Sequence, residues 1–461
     1  MPIMKAYTKL SVNEISVLIT LAIPLILTGF IEASVGFFTT LFLAHLGSRE
    51  LAAGAVVQWI FFTMMVVLWG TLCAVSILIA QKHGEKDDRG VSKILRDGLV
   101  LGIVLFFPAF LLLRNIAPVL ALAGQDAATI ALAVDYMNGL SWGLLPDFIG
   151  LVLMQFLIGL GHTRTNMFFT LIWVPLNIFC NYGLIFGEFG FPALGMAGIG
   201  WGTTLAYWIL AVFLACYLLW DKSYRRYFEG VFIFAKPRFL AELCQIGVPM
   251  GAMYCIEIAF FLTLTLLMGR LGSDILAANQ ITMQYLGEAS VATFAIAQAI
   301  TVRMGHMIGA GKIHLAERAV YIGVVISIVF MVFVGGIYCI SPTKLIELDL
   351  SLDQANNSNI ISYAIQFFSV AALFQLLEAI RITLFGALRG LKDTRFTLLS
   401  SVISFWVVSL PIGYVMAINL HMGGMGLWWG AVIGAVVGVV LLALRFHYKM
   451  KGVYRNAKSS I

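Results

Sequence analysis

Charge is scarce in this sequence. Only 11% of its 461 residues are Asp, Glu, Lys or Arg, against about 25% in a soluble domain. Long polar stretches are missing too: the most extended, near 82–97 and 221–238, are loop-sized and leave no room for a separate soluble domain. Cysteine is limited to six residues (Cys73, Cys180, Cys216, Cys244, Cys255, Cys339), all in apolar runs and none in a CxxC pair. That spacing excludes a disulfide framework and a thiolate metal site, and it reads as six small buried hydrophobes. There is no HExxH and no GxSxG, so an intramembrane enzyme lacks its metal or nucleophile motif. Nothing suggests a channel's selectivity filter. A water-soluble enzyme and a disordered chain are both excluded.

Apolar residues fill the space instead, at 61% of the chain, with a mean hydropathy of +0.96. Twelve segments reach the roughly 20 apolar residues that a membrane span needs. The first 16 residues are mixed polar and run into a full-length span, which reads as a membrane helix and not as a cleaved signal peptide.

The net charge of +6 has a topological reading, not a nucleic-acid one. With the N-terminus inside, 24 of the Lys and Arg residues fall in cytoplasmic segments. Only Arg49, Arg114, Arg270 and Lys344 fall outside, and Arg381 lies within a helix. The positive-inside rule then gives twelve helices with both termini cytoplasmic.

The chain repeats itself. At an offset of 225, Pro24 meets Pro249, Glu32 meets Glu257, and Leu46-Gly47-Ser48 meets Leu271-Gly272-Ser273. At 231, Asp147 meets Glu378 and Gly159-Leu160 meets Gly390-Leu391. At 228, Trp201-Gly202 meets Trp429-Gly430. An even six helices per repeat gives both halves the same orientation, so two six-helix bundles would enclose a central cavity, as in a transporter. The expected divisions are an N-terminal lobe (1–221), a cytoplasmic linker (222–238), a C-terminal lobe (239–448) and a tail (449–461).

Charges inside spans are costly and mark function. Five acids lie there, Glu32, Asp147, Glu257, Glu288 and Glu378, with one base, Arg381. Four of the acids are repeat-related pairs. A carboxylate out of water can take a proton or Na+ outside and lose it inside. One charge crossing about 150 mV supplies roughly 3.5 kcal/mol. An empty acid can also hold a cationic substrate, and competition at one site gives antiport. Arg381 follows Glu378 by three residues, on one helix face, and a pair between them would weaken Glu378 as a proton site. Pro24 and Pro249 precede the glutamates by eight residues and Pro411 interrupts another helix, three places where a helix can bend. Gly426, Gly430, Gly434 and Gly438 form a ladder for close helix packing. His162, His306 and His314 read as solvated loop residues.

Asn177-Ile-Phe-Cys-Asn181-Tyr182-Gly, Gly247-Val-Pro249 with Glu257, Ala277-Ala278-Asn279-Gln280, Arg303-Met-Gly305 and Gly386-Ala-Leu-Arg389-Gly390 resemble the multidrug and toxic compound extrusion (MATE) family, closest to its NorM-like subgroup. The resemblance covers roughly 15–445. It implies an all-α polytopic membrane protein, with twelve helices in two pseudo-symmetric six-helix bundles forming a V. It also implies export of small organic, often cationic, molecules against H+ or Na+. The site is then a coupling pair, Glu257 and Glu378, with substrate or secondary ion contacts at Glu32, Thr39, Asp147, Asn177, Asn181, Asn279, Glu288 and Arg381. Thr39 stands where the subgroup has a helix-1 aspartate, and a threonine cannot carry a proton, so Glu32, two turns earlier, is expected to substitute in part. Arg381 also leaves room for an anionic or zwitterionic substrate. No cofactor and no metal beyond Na+ is expected. The expected setting is a bacterial inner membrane, as a monomer with the lipid bilayer and a small-molecule substrate as partners and no nucleic acid. A lipid-linked saccharide flippase of the same superfamily is the alternative within transport.

Overall fold

The computed structural model describes residues 2–231, 236–350 and 357–459, with side chains for 14–231, 236–350 and 357–455. Part of the expected linker (232–235), the end of the tail, and the side chains of Lys5, Lys9 and Lys458 lie outside them. The described residues form helices and no strand. Eleven helices among them are long and apolar enough to cross a membrane, and a bent pair makes a twelfth.

In chain order these are α1 (Pro2–Leu46), α2 (Ser48–Gly84), α3 (Asp88–Arg114), α4 (Ala127–Ser141 with Leu144–Gly159), α5 (Thr163–Phe186) and α6 (Met196–Trp220). The second set is α7 (Leu240–Leu271), α8 (Ser273–Gly309), α9 (Ile313–Ile340), α10 (Ser358–Gly390), α11 (Thr394–Asn419) and α12 (Gly424–Ser459). Large apolar side chains such as Phe107, Phe213 and Phe333 are exposed, as helix surfaces facing acyl chains require.

Packing divides the chain into two compact units, and the division does not fall at the linker. One unit holds 1–26 and 252–461, the other 27–251. Each boundary lies two residues past a repeat-related proline, Pro24 in α1 and Pro249 in α7.

In the unit of 27–251, the first turns of α7 approach α2 closely, since a Cβ on Gly247 would stand 2.2 Å from the Thr71 carbonyl oxygen. The segment ahead of α7 is held by Asp97, whose Oδ2 accepts the backbone N–H groups of Arg238 (2.7 Å) and Phe239 (2.6 Å). Linker residues Tyr224, Tyr227 and Phe228 are buried around Phe156, so they are part of this unit's core. The halves of α4 meet at 50°. Pro146 cannot donate to the Trp142 carbonyl there, which accounts for the bend.

In the other unit, Phe260 stacks on Phe405 at 4.7 Å, within a core that includes Phe367, Phe374 and Trp428. The glycine ladder of α12 lies against α11: a Cβ on Gly430 would be 2.4 Å from the Gly413 Cα. Pro411 lies within α11, as the sequence places it. The helix runs through it, wound with wider i→i+5 turns over Val402–Ser409 and Val415–Asn419, and such turns gather at functional sites. The cysteine reading also needs correction, because Cys73 and Cys180 are buried while Cys216, Cys255 and Cys339 are exposed.

Candidate functional site

Within the unit of 27–251, α1, α2, α4, α5 and α6 enclose a cavity of 630 Å³. Glu32 and Thr39 line it from α1, Tyr136 from α4, Trp173 and Asn177 from α5, and Tyr207 from α6. Trp173 and Tyr207 are stacked at 5.5 Å, with their planes 12° apart. The Thr39 hydroxyl is spent on its own helix, donating to the Val35 carbonyl at 2.8 Å. Asn177 Oδ1 accepts from Asn181 Nδ2 at 3.0 Å, and Asn177 Nδ2 has no partner among the described residues. Asn181 accepts in turn from Thr203. Asp147 lies in the first turn after the α4 bend, within reach of the charge on Glu32, and its Oδ2 is buried without a hydrogen-bond partner among the described residues. Two acids and aromatic walls suit an organic cation, through charge and ring-face contacts.

The other unit carries a different arrangement. Arg381 on α10 donates to both oxygens of Glu378, from Nε at 2.8 Å and Nη2 at 2.5 Å. Its Nη1 lies 2.8 Å from Glu257 Oε1 on α7. Ser401 on α11 donates to the same Glu257 oxygen at 2.8 Å and accepts from Arg381 Nη1 at 3.2 Å. The guanidinium also lies 4.8 Å over the ring of Phe405. Arg381 is 2% exposed, and Glu257 and Glu378 8% each. Two carboxylates and one guanidinium leave a net −1, so a single proton or monovalent cation brings the cluster to neutrality.

The remaining candidates are not gathered there. Asn279 is fully buried on α8, and neither amide atom has a partner among the described residues. Glu288 lies midway along α8, as the sequence places it, with its side chain exposed. Ser401, Trp173 and Tyr207 were not singled out in sequence. For Ser401 the signal was present, in the three- and four-residue spacing of Thr394, Thr397, Ser401 and Ser404.

The MatE family model matches the chain twice, over 24–183 and 249–415. The matches begin at the two repeat-related prolines. The chain belongs to the MatE family. The multidrug resistance protein NorM of Burkholderia vietnamiensis is 33% identical over 432 residues, covering 93% of this chain and 93% of that protein. A NorM relative from Burkholderia mallei is 34% identical, over 93% of this chain and 92% of the relative. Among solved structures, a MATE in the bent conformation matches with a TM-score of 0.88 at 17% identity, covering 97% of this chain and 98% of its own. The eukaryotic MATE transporter AtDTX14 matches at 0.82 and 20%, covering 97% and 100%. This MatE chain is therefore a multi-pass membrane transporter and not an enzyme.

Proposed function

We propose that this MatE chain is a cation-coupled antiporter that exports small organic, cationic or amphipathic molecules in exchange for H+ or Na+. The observation that carries this reading is the cavity holding Glu32 beside the Trp173–Tyr207 stack. Asp147 extends the negative field behind it, and no base stands among the lining residues. The net −1 cluster of Glu257, Glu378 and Arg381 is the coupling site. It can alternate between −1 and neutral without leaving Arg381 unpaired, because either carboxylate alone balances the guanidinium. H+ is the preferred ion, because Thr39 stands where the NorM-like subgroup has its helix-1 aspartate. The names of its NorM relatives agree with drug export, and the same relatives favour the inner membrane of a bacterium. Both termini are placed in the cytoplasm by the distribution of Lys and Arg, and the working unit is a monomer.

The test is transport by purified protein in liposomes loaded with ethidium, under an imposed proton gradient and, separately, a sodium gradient. Ethidium movement driven by one gradient and lost in Glu257→Gln supports the reading and identifies the ion. Absence of movement under both gradients, with folded protein, rejects it.

A further inference from the structure

The face of α11 that meets the charged cluster is lined with hydroxyls. Thr394, Thr397, Ser400, Ser401, Ser404 and Ser409 are each at most 2% exposed. Spacings of three and four residues put Thr394, Thr397, Ser401 and Ser404 on one side of the helix. Packing in an apolar slab has no need of them, since alanine or valine would fill the same volume without a polar atom to satisfy. Thr397 donates to the Thr394 carbonyl at 2.6 Å, and Ser401 is bonded into the cluster. The hydroxyls of Thr394, Ser400, Ser404 and Ser409 have no partner among the described residues. Buried hydroxyls are satisfied by a protein partner or by water, so an unpartnered series beside an ionisable cluster points to water as its ligand.

Both ends of the series are charged. At one end stands the Glu257–Arg381–Glu378 cluster. At the other, α11 begins directly after Asp393, which accepts from Arg445 at 2.7 Å and lies 3.3 Å from Lys449. α12 packs closely on the upper end of the series: a Cβ on Gly438 would stand 2.9 Å from Ser404 Oγ and 3.0 Å from Arg381 Cδ.

We infer that the hydroxyl face of α11, from Ser401 through Ser400 and Thr397 to Thr394, with water bonded to it, carries the coupling proton from the Glu257–Arg381–Glu378 cluster to the cytoplasmic side. The inference rests on the antiport reading above. Protonated Glu257 gives its proton to the Ser401 oxygen as Ser401 passes its own to the next acceptor. Each hydroxyl or water gains one proton and releases one, and the last passes it to cytoplasmic water. Glu257 regains its charge, and no bond other than O–H bonds is made or broken.

The test uses the full chain in liposomes with pyranine inside, reporting protons released as ethidium is exchanged. Thr397→Val combined with Ser400→Ala is expected to slow proton release and ethidium turnover by tenfold or more, with the Kd for ethidium unchanged within twofold. Thr397→Ser is expected to recover most of the lost rate, which a purely steric role would not require. Ser400→Ala alone guards against misfolding: its hydroxyl makes no hydrogen bond among the described residues, so the variant keeps its contacts and is still expected to slow release severalfold. Wild-type proton release by both Ser400→Ala and the double variant would overturn the inference. If wild type moves ethidium without releasing protons, or only with sodium, the proton-coupled reading fails first, and the α11 path falls with it.

Discussion

Asp147 and Glu378 occupy the same point of the two repeats, yet only Glu378 has a guanidinium beside it. The offset of 231 that superposes them also superposes Gly150 on Arg381. Glu378 therefore has both oxygens bonded, while Asp147 Oδ2 is left without a partner among the described residues. One repeat has become a compensated ion cluster and the other an acidic cavity. A Cβ on Gly150 would meet nothing within 4 Å, so a side chain can begin there without a clash at its first atom. Gly150→Arg is expected to pair Asp147 and weaken ethidium binding by tenfold or more, with the protein still folded. A titration of ethidium fluorescence checks it, and unchanged affinity would mean that Asp147 does not contribute to the cavity's field.

The acid missing from position 39 gives a second prediction. Glu32 and Thr39 line the same cavity, seven residues apart on α1 and so on one face. Glu32→Gln is expected to lower ethidium transport at least tenfold. Adding Thr39→Asp to Glu32→Gln returns a carboxylate to the cavity and is expected to recover part of the activity. Normal transport by Glu32→Gln across pH 6 to 8 would remove Glu32 from the mechanism.

Arg381 serves stability as well as charge balance. Removing one partner of a buried ion pair typically costs about 3–5 kcal/mol, and here two carboxylates would lose their cation at once. Arg381→Met is expected to lower the thermal midpoint in detergent sharply. Replacing Glu257 and Glu378 with Gln in the same variant removes the stranded charges and is expected to recover most of the loss. If the triple variant is no more stable than Arg381→Met, the charges are not what the arginine balances.

The sequence carried the spans, the repeat and the acids within the helices, because each rests on spacing along one chain. It could not show that Arg381 reaches Glu257 as well as Glu378. That contact joins α7 to α10 and depends on how helices pack, which no local pattern encodes. The unit boundaries were hidden for the same reason. Pro24 and Pro249 were legible as matched prolines within helices, but which neighbours the segments before them adopt follows from close approaches such as Gly247 to Thr71. The exposure of Glu288 could not be read from hydropathy, because it depends on which face of α8 the residue occupies.

The linker offers a pH prediction outside the membrane. His162, an exposed residue between α4 and α5, shares a 2.8 Å hydrogen bond with the Tyr224 hydroxyl. Burial holds its imidazole below the ordinary histidine range, and Asp221 offsets this in part. A histidine whose folded value is lowered binds fewer protons when docked than when released. The docked form is then favoured above the ordinary value of about 6.5 and lost as pH falls below it. Hydrogen exchange over 222–231, corrected for intrinsic rate, is expected to show less protection at pH 5.5 than at pH 7.5. His162→Gln, which can bond Tyr224 without titrating, is expected to flatten that difference. An equal slope in the variant would assign the pH response to another group.

An ion pair ties Glu14 of α1 to α8 within its unit. Arg303 at the end of α8 donates to both oxygens of Glu14, at 2.9 and 2.5 Å, and the side chains are 16% and 6% exposed. Two parallel charge-assisted bonds of this kind are strong and directional. Glu14→Gln keeps the shape but leaves a largely buried guanidinium without its charge partner, a loss of about 1–3 kcal/mol. Arg303→Gln strands the carboxylate and is expected to cost about the same. In a double-mutant cycle the pair of substitutions should cost less than their sum, because each single change already removes the shared contact. Thermal unfolding in detergent supplies the four values. Additive losses would show that Glu14 and Arg303 act separately, and that something other than this pair holds residues 14–26 against α8.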